Sequence, residues 1–429
     1  MNAMPPELIR VIVSSIDTQQ DLKSCCLAAS YFRSWCQQRL LGSLALSLTR
    51  AARDTRERLN HPPRMRAGKK SFDDATERFG RWPHLAALVV DLDLELSILG
   101  LEAGTLGVDA PALAALFSLF SRVSSLRIVG HSPWSNIEPA LTHALAHWLG
   151  HIPHGTLQFI HMSYAMQFPR SIFHDIFRAL APHAQVDFLI VSMDAAECTD
   201  RGPYTTAPFA FSCDRGHGVQ AALTQSEFLS ALRGLRSLVA PAAPGNTFGE
   251  SLRLCEAASN TLEHLNLQIT FGRYNALLDA PLPQCLSVLT TLTLTFSPLE
   301  AELRSDTHFS WLLTTVVAPL LHPAVTPQLA TLTIPCKLHP LNSLASTVAF
   351  LLSAVRQDTG QACLRMLDET LAGRHIRLLF VFLVVKPQQV VAGEADEQQT
   401  VLRELQVCLK RQAERGLLDV ALRFSGPLD

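Results

Sequence analysis

The stretches LEHLNL (residues 262–267), LTTLTL (289–294) and LATLTI (329–334) are three copies of one phrase, Leu-x-x-Leu-x-Leu. Its period-2 ending reads as a short strand with alternate side chains inside. The phrase recurs as Leu85-x-x-Leu88-x-Val90, Val123-x-x-Leu126-x-Ile128, Leu235-x-x-Leu238 and Leu417-x-x-Val420-x-Leu422. Weaker copies are Leu157-x-Phe159 and Val186-x-Phe188-x-Ile190. Leu238, Leu265 and Leu292 fall at a constant spacing of 27 residues. That lies inside the leucine-rich-repeat range of about 20–29.

Helical spacing of three and four fills the gaps, over 111–121, 139–149, 171–180, 226–232 and 309–321. Strand followed by helix, repeated, predicts an α/β chain whose units stack because one strand alone leaves its apolar face bare. In such strands the Leu neighbours point to the opposite, solvent face. Those neighbours are Asp91, Arg127, Gln158, His264, Asn266, Gln268, Thr291, Thr293, Thr295, Thr331 and Thr333, a mostly neutral polar set. Stacked repeats use this face for extended partners, so it is the candidate protein-binding surface.

The 429 residues are 48% apolar and 17% charged, with a formal net charge of −2. This balance excludes global disorder and a generally basic nucleic-acid binder. The longest apolar run, Leu378 to Val385, has eight residues, against about 20 for a membrane span. It reads as a buried strand. The opening MNAMPPELIRVIVSSI has no basic region ahead of its apolar stretch, so no export signal is expected. Ten cysteines are too sparse for a disulfide scaffold, and a cytoplasmic or nuclear location is expected.

Catalytic and metal chemistry find no constellation. No G-x-G-x-x-G or G-x-S-x-G follows a strand. Cys198, Cys213 and His217 lack the close ligand pairs of structural zinc. His143 and His147 lie four apart with no H-E-x-x-H motif, and read as an exposed helical pair. Neither an enzyme nor a cofactor is expected.

Pro5-Pro6-Glu7 opens the first helix, since Pro early in a helix gives up no intrahelical bond. Leu8, Ile9, Ile12, Val13 and Ile16 follow at helical spacing, Thr18-x-x-Asp21 resembles a capping box, and Leu22, Cys25, Cys26 and Ala29 form a second stripe. Phe32, Trp35, Cys36 and Leu40 form a third. The run from Met4-Pro5-Pro6-Glu7-Leu8 through Ile12-Val13 and Asp21-Leu22 to Cys26 and Phe32 resembles the F-box, with Met4 where the family has Leu and Phe32 where it has Trp. Together with the repeats, the chain is similar to F-box/leucine-rich-repeat proteins, particularly the divergent fungal ones.

The resemblance implies an α/β architecture of three parts: an F-box-like helical unit over 1–48, a basic linker over 49–80, and an irregular leucine-rich-repeat solenoid over 81–429 with a loop inserted near 194–218. It implies a non-catalytic adaptor of an SCF-type cullin ubiquitin ligase. Pro5, Leu8, Ile9, Ile12, Leu22, Cys26 and Phe32 would line the contact with the small ligase adaptor, and the repeats would bind a protein target. A chain that is monomeric outside the ligase complex is expected. The alternative is an interaction scaffold whose helices only cap the solenoid.

Overall fold

The computed structural model describes residues 4–48, 70–96, 109–130, 132–194, 208–214, 219–242, 246–270, 282–297, 316–338, 358–385 and 394–425. Two compact units divide the chain, Met1–Phe209 with Arg215–Val219, and Ala210–Asp214 with Gln220–Asp429. Both are mixed α/β, built from parallel strands and connecting helices.

The first unit opens with three helices, α1 (Pro6–Ser14), α2 (Gln19–Ala28) and α3 (Ser30–Leu41). The capping box forms at one bond: the Thr18 hydroxyl oxygen accepts from the Asp21 backbone N–H at 3.0 Å. Ala29 is extended, which separates α2 from α3. Ile9, Val13, Leu22 and Cys36 form the core of this bundle, flanked by Ile16, Cys25, Cys26, Phe32, Trp35 and Leu40.

Next come β1 (Ser43–Ser47), β2 (Lys70–Ser71), β3 (Asp91–Glu95), β4 (Ser125–Val129), β5 (Leu157–Ser163) and β6 (Leu180–Leu189). They order as β6-β5-β4-β3-β1-β2, every pair parallel. One inward row runs Leu92, Leu126, Ile160, Val186 in register, each fully or almost fully buried.

Helices α4 (Phe72–Arg81), α5 (Pro83–Ala86), α6 (Ala110–Ser118), α7 (Pro139–His151) and α8 (Arg170–Ala179) connect the strands. Ser71 caps α4 and Asp109 caps α6, each side chain accepting a backbone N–H of the first turn. Aromatic rings join the helical layer: Phe117 lies 6.3 Å from Phe72 and 5.6 Å from Trp148, and Phe120 lies 5.7 Å from Phe79. The Phe79–Phe120 pair is edge-to-face at 84°, a geometry that adds to area burial through ring electrostatics.

The second unit carries β7 (Phe209–Asp214, from Ala210 on), β8 (Leu235–Ala242), β9 (His264–Thr270), β10 (Thr291–Ser297), β11 (Thr331–Leu338), β12 (Arg377–Val385) and β13 (Leu418–Ser425). They are sheet neighbours in chain order. Leu238, Leu265, Leu292, Leu332 and Leu378 form one register row of fully or almost fully buried side chains. The first four come from the repeated phrase and Leu378 from the eight-residue apolar run, which is a buried strand of the same kind.

Several boundaries differ from the sequence reading. Ser43–Ser47, inside the range read as the helical unit, is a sheet strand paired with β3. Phe72–Arg81, inside the range read as linker, is a packed helix with Phe72, Ala75 and Phe79 buried. Residues 49–69 of that linker lie outside the described residues. The loop read near 194–218 contains β7, whose alternate residues Phe209, Phe211 and Cys213 are buried. Cys198 and His217 lie outside the described residues.

Candidate functional site

Two surfaces carry the residues singled out by sequence. The first is on the helical bundle. At about 100° per residue, α1 has two apolar stripes. Ile9 and Val13, with Ile16 just past the helix, face the bundle core. Leu8, Val11 and Ile12, with Met4 just ahead of the helix, fall on another side and stay exposed, Leu8 to 53% and Val11 to 62%. Across the α2–α3 junction Leu27 is 83% and Tyr31 52% exposed. The Tyr31 ring rests on Phe32 at 4.4 Å between centroids.

Of the residues assigned to the ligase-adaptor contact, Pro5, Leu8 and Ile12 are therefore exposed, while Cys26 and Phe32 are half-buried at the edge of the core. Ile9 and Leu22 are core residues, Leu22 with no exposed surface. Their side chains pack inside the bundle. Val11, Leu27 and Tyr31 are the exposed apolar positions the motif did not single out. The signal for Val11 was present, three residues after Leu8 on the same stripe.

The second surface is the outward strand face, which differs between the units. In the first unit one register row reads Ala45, Asp93, Arg127, His161, Asp187. Arg127 Nη1 is 3.9 Å from Asp93 Oδ2, and His161 Nδ1 is 2.9 Å from Asp187 Oδ2. Asp91 occupies the row before, in register with Ser125 and Phe159.

Gln158 is not on this face. It precedes Phe159, and the outward residues of β5 are Phe159, His161 and Ser163. The inward set is Leu157, Ile160 and Met162, all fully buried, so the phrase is Leu157-x-x-Ile160-x-Met162. The shorter match hid it because Ile and Met stand where Leu was sought. His161 was missed for the same reason, whereas Asp187 lies within the recognised copy Val186-x-Phe188 and was passed over there.

In the second unit the rows are His264, Thr291, Thr331, Arg377, then Asn266, Thr293, Thr333, then Gln268, Thr295. His264 is exposed, Asn266, Gln268 and Thr293 are half-buried, and Thr295 is buried. The structure thus places on one strand face all eight residues of this unit read from the sequence as candidate partner surface. At the far end Arg377 Nε donates to Asp419 Oδ2 at 2.6 Å.

Among the described residues, no group of three or more His, Cys, Asp or Glu side chains is placed to hold a metal ion. Among them, too, no helix is long and apolar enough to cross a membrane. No protein-family model matches the chain, and no curated protein matches it.

Proposed function

We propose that the chain is a non-catalytic substrate-recognition adaptor of an SCF-type cullin ubiquitin ligase. The helical bundle docks the small ligase adaptor, and the parallel strands, read as an irregular leucine-rich-repeat solenoid, hold a protein target on their outward face. The observation that carries this reading is the second apolar stripe of α1, Leu8, Val11 and Ile12, left exposed on the same three-helix bundle that also exposes Leu27 and Tyr31. A helix that only caps a fold needs one apolar face; a second, exposed one supports an interaction surface.

One observation favours the scaffold reading, in which the bundle is only a terminal cap. Gly42 alone separates α3 from β1, and its carbonyl accepts from the Val90 and Asp91 N–H groups at 2.8 Å. The bundle is thus tied directly to the sheet, as a cap must be. Capture of the ligase adaptor by the full chain, compared with the Leu8→Asp plus Ile12→Asp variant, separates the two. Capture that the variant loses supports the ligase reading. A folded chain that captures no adaptor supports the cap.

A further inference from the structure

We propose that His147 and His151 form a two-imidazole site for a divalent transition-metal ion, of the zinc, nickel and copper class, on the exposed side of α7. His143, His147 and His151 recur every fourth residue along this helix and all three are exposed. The opposite side is occupied by Leu141, Ala144, Leu145, Trp148 and Leu149, which are buried. The structure distinguishes one pair within the stripe. The His147 and His151 rings stack at 4.2 Å between centroids, 28° from parallel.

The hydrogen bonding of that pair also sets a protonation pattern. His151 Nδ1 lies 2.7 Å from the His147 carbonyl oxygen. A carbonyl only accepts, so Nδ1 carries the proton and donates it, and Nε2 of the neutral ring holds the lone pair. Histidines that ligate metals are commonly held this way, with one ring nitrogen donating to a backbone carbonyl and the other free to coordinate. His151 is also the last residue of α7, where unsatisfied carbonyls concentrate negative potential that favours a cation.

Two imidazoles sharing a zinc ion at about 2.0–2.1 Å need their ligating nitrogens roughly 3 Å apart. The stacked rings hold their lone pairs in near-parallel planes, so ligation requires the exposed His147 ring to turn while His151 keeps its carbonyl bond. Solvent completes the coordination, so the site is a surface chelate and not a structural zinc centre. It is independent of the ligase reading.

The test is calorimetric titration of the full chain, stripped with a chelator, with Zn²⁺ at pH 7.5. The same titration is run on His147→Gln plus His151→Gln and on His143→Gln. Because the chain has sixteen histidines, the readout is the difference between chains. The double variant should lose affinity by about tenfold or more, and His143→Gln should match the parent chain. Thermal melts confirm that the exposed substitutions leave the fold intact. Equal zinc affinity in the parent and double-variant chains overturns the proposal, as does a parent chain that binds no zinc. A loss confined to His143→Gln overturns the assignment of the pair.

Discussion

Thr295 donates a 3.0 Å hydrogen bond from Oγ1 to Asn266 Oδ1, diagonally across the β9–β10 ladder. In register Thr295 faces Gln268 and Asn266 faces Thr293, so the bond ties two successive rows of the outward strand face. Two residues of the candidate partner surface therefore already bind each other. A partner reading this face meets Asn266 through its remaining amide valences, and Gln268 and Thr293 directly.

Thr295→Val should lower stability by about 0.5–1.5 kcal/mol, the net worth of a typical intramolecular hydrogen bond. Urea unfolding of Thr295→Val, Asn266→Leu and the double variant measures it. The double variant should cost less than the sum of the singles, because each single already removes the shared bond. Strict additivity would mean that the bond contributes nothing.

Replacing Asn266 and Thr293 by Lys, and Gln268 by Glu, alters the face without touching a core leucine. Target capture should fall sharply while the melting temperature moves little. Binding of a neutral polar face should also depend weakly on salt, where a nucleic-acid partner would show a steep fall. Unchanged capture by a folded variant places the target elsewhere.

The bundle residues should separate into two classes. Leu22→Ala should cost about 2–5 kcal/mol, as expected for a fully buried leucine. Leu8→Ala should stay within about 0.5 kcal/mol, as is usual at exposed positions. Hydrogen exchange over residues 6–41 reads both. Equal effects would mean that α1 does not present two distinct stripes.

Buried thiols contribute to the response to alkaline pH. Burial pushes Cys255 from its ordinary value of 9.0 up to about 12. Burial raises Cys36 as well, aided by a hydrogen bond with Cys25. The unfolded chain ionises these thiols first, so their contribution is complete below about pH 9 and is lost as pH rises toward 12. Peptide mapping after a brief thiol label at pH 8 should find exposed Cys285 modified. Cys36 and Cys255 should remain unlabelled until the protein is denatured.

How far the fold could be read depended on what stands at each position. Leu265, Leu292 and Leu332 announce their strands because the full phrase surrounds them. The first copy slipped: Leu85 lies in α5 and Leu88 in the turn after it, while β3 begins at Asp91 with Leu92 and Leu94 inside. β1 was hidden because LAL at 44–46 follows α3 with only Gly42 and Ser43 between. β7 was hidden by the Gly-Pro and Ala-Pro signals upstream of it.

The candidate site divides in the same way. Alternation placed Asn266, Thr293 and Thr295 on one face, but could not show Thr295 bonded to Asn266. Motif matching counted Ile9 and Leu22 as contacts, although helical phase puts them inside. Asp368 was wholly silent: it accepts from the Arg411 and Gln412 N–H groups at 3.1 and 3.0 Å, capping a helix more than forty residues away. No local pattern encodes such a pairing.

Docking of the ligase adaptor on the exposed stripe of α1 is the proposal on which the other readings of the bundle depend. Its most direct test is the affinity between the purified full chain and the purified adaptor, measured for the parent chain and for Leu8→Asp plus Ile12→Asp. The account predicts a saturable one-to-one complex with the parent chain, and its loss in a variant whose melting temperature is unchanged. A folded parent chain that shows no binding, or a variant that binds as tightly as the parent, contradicts it.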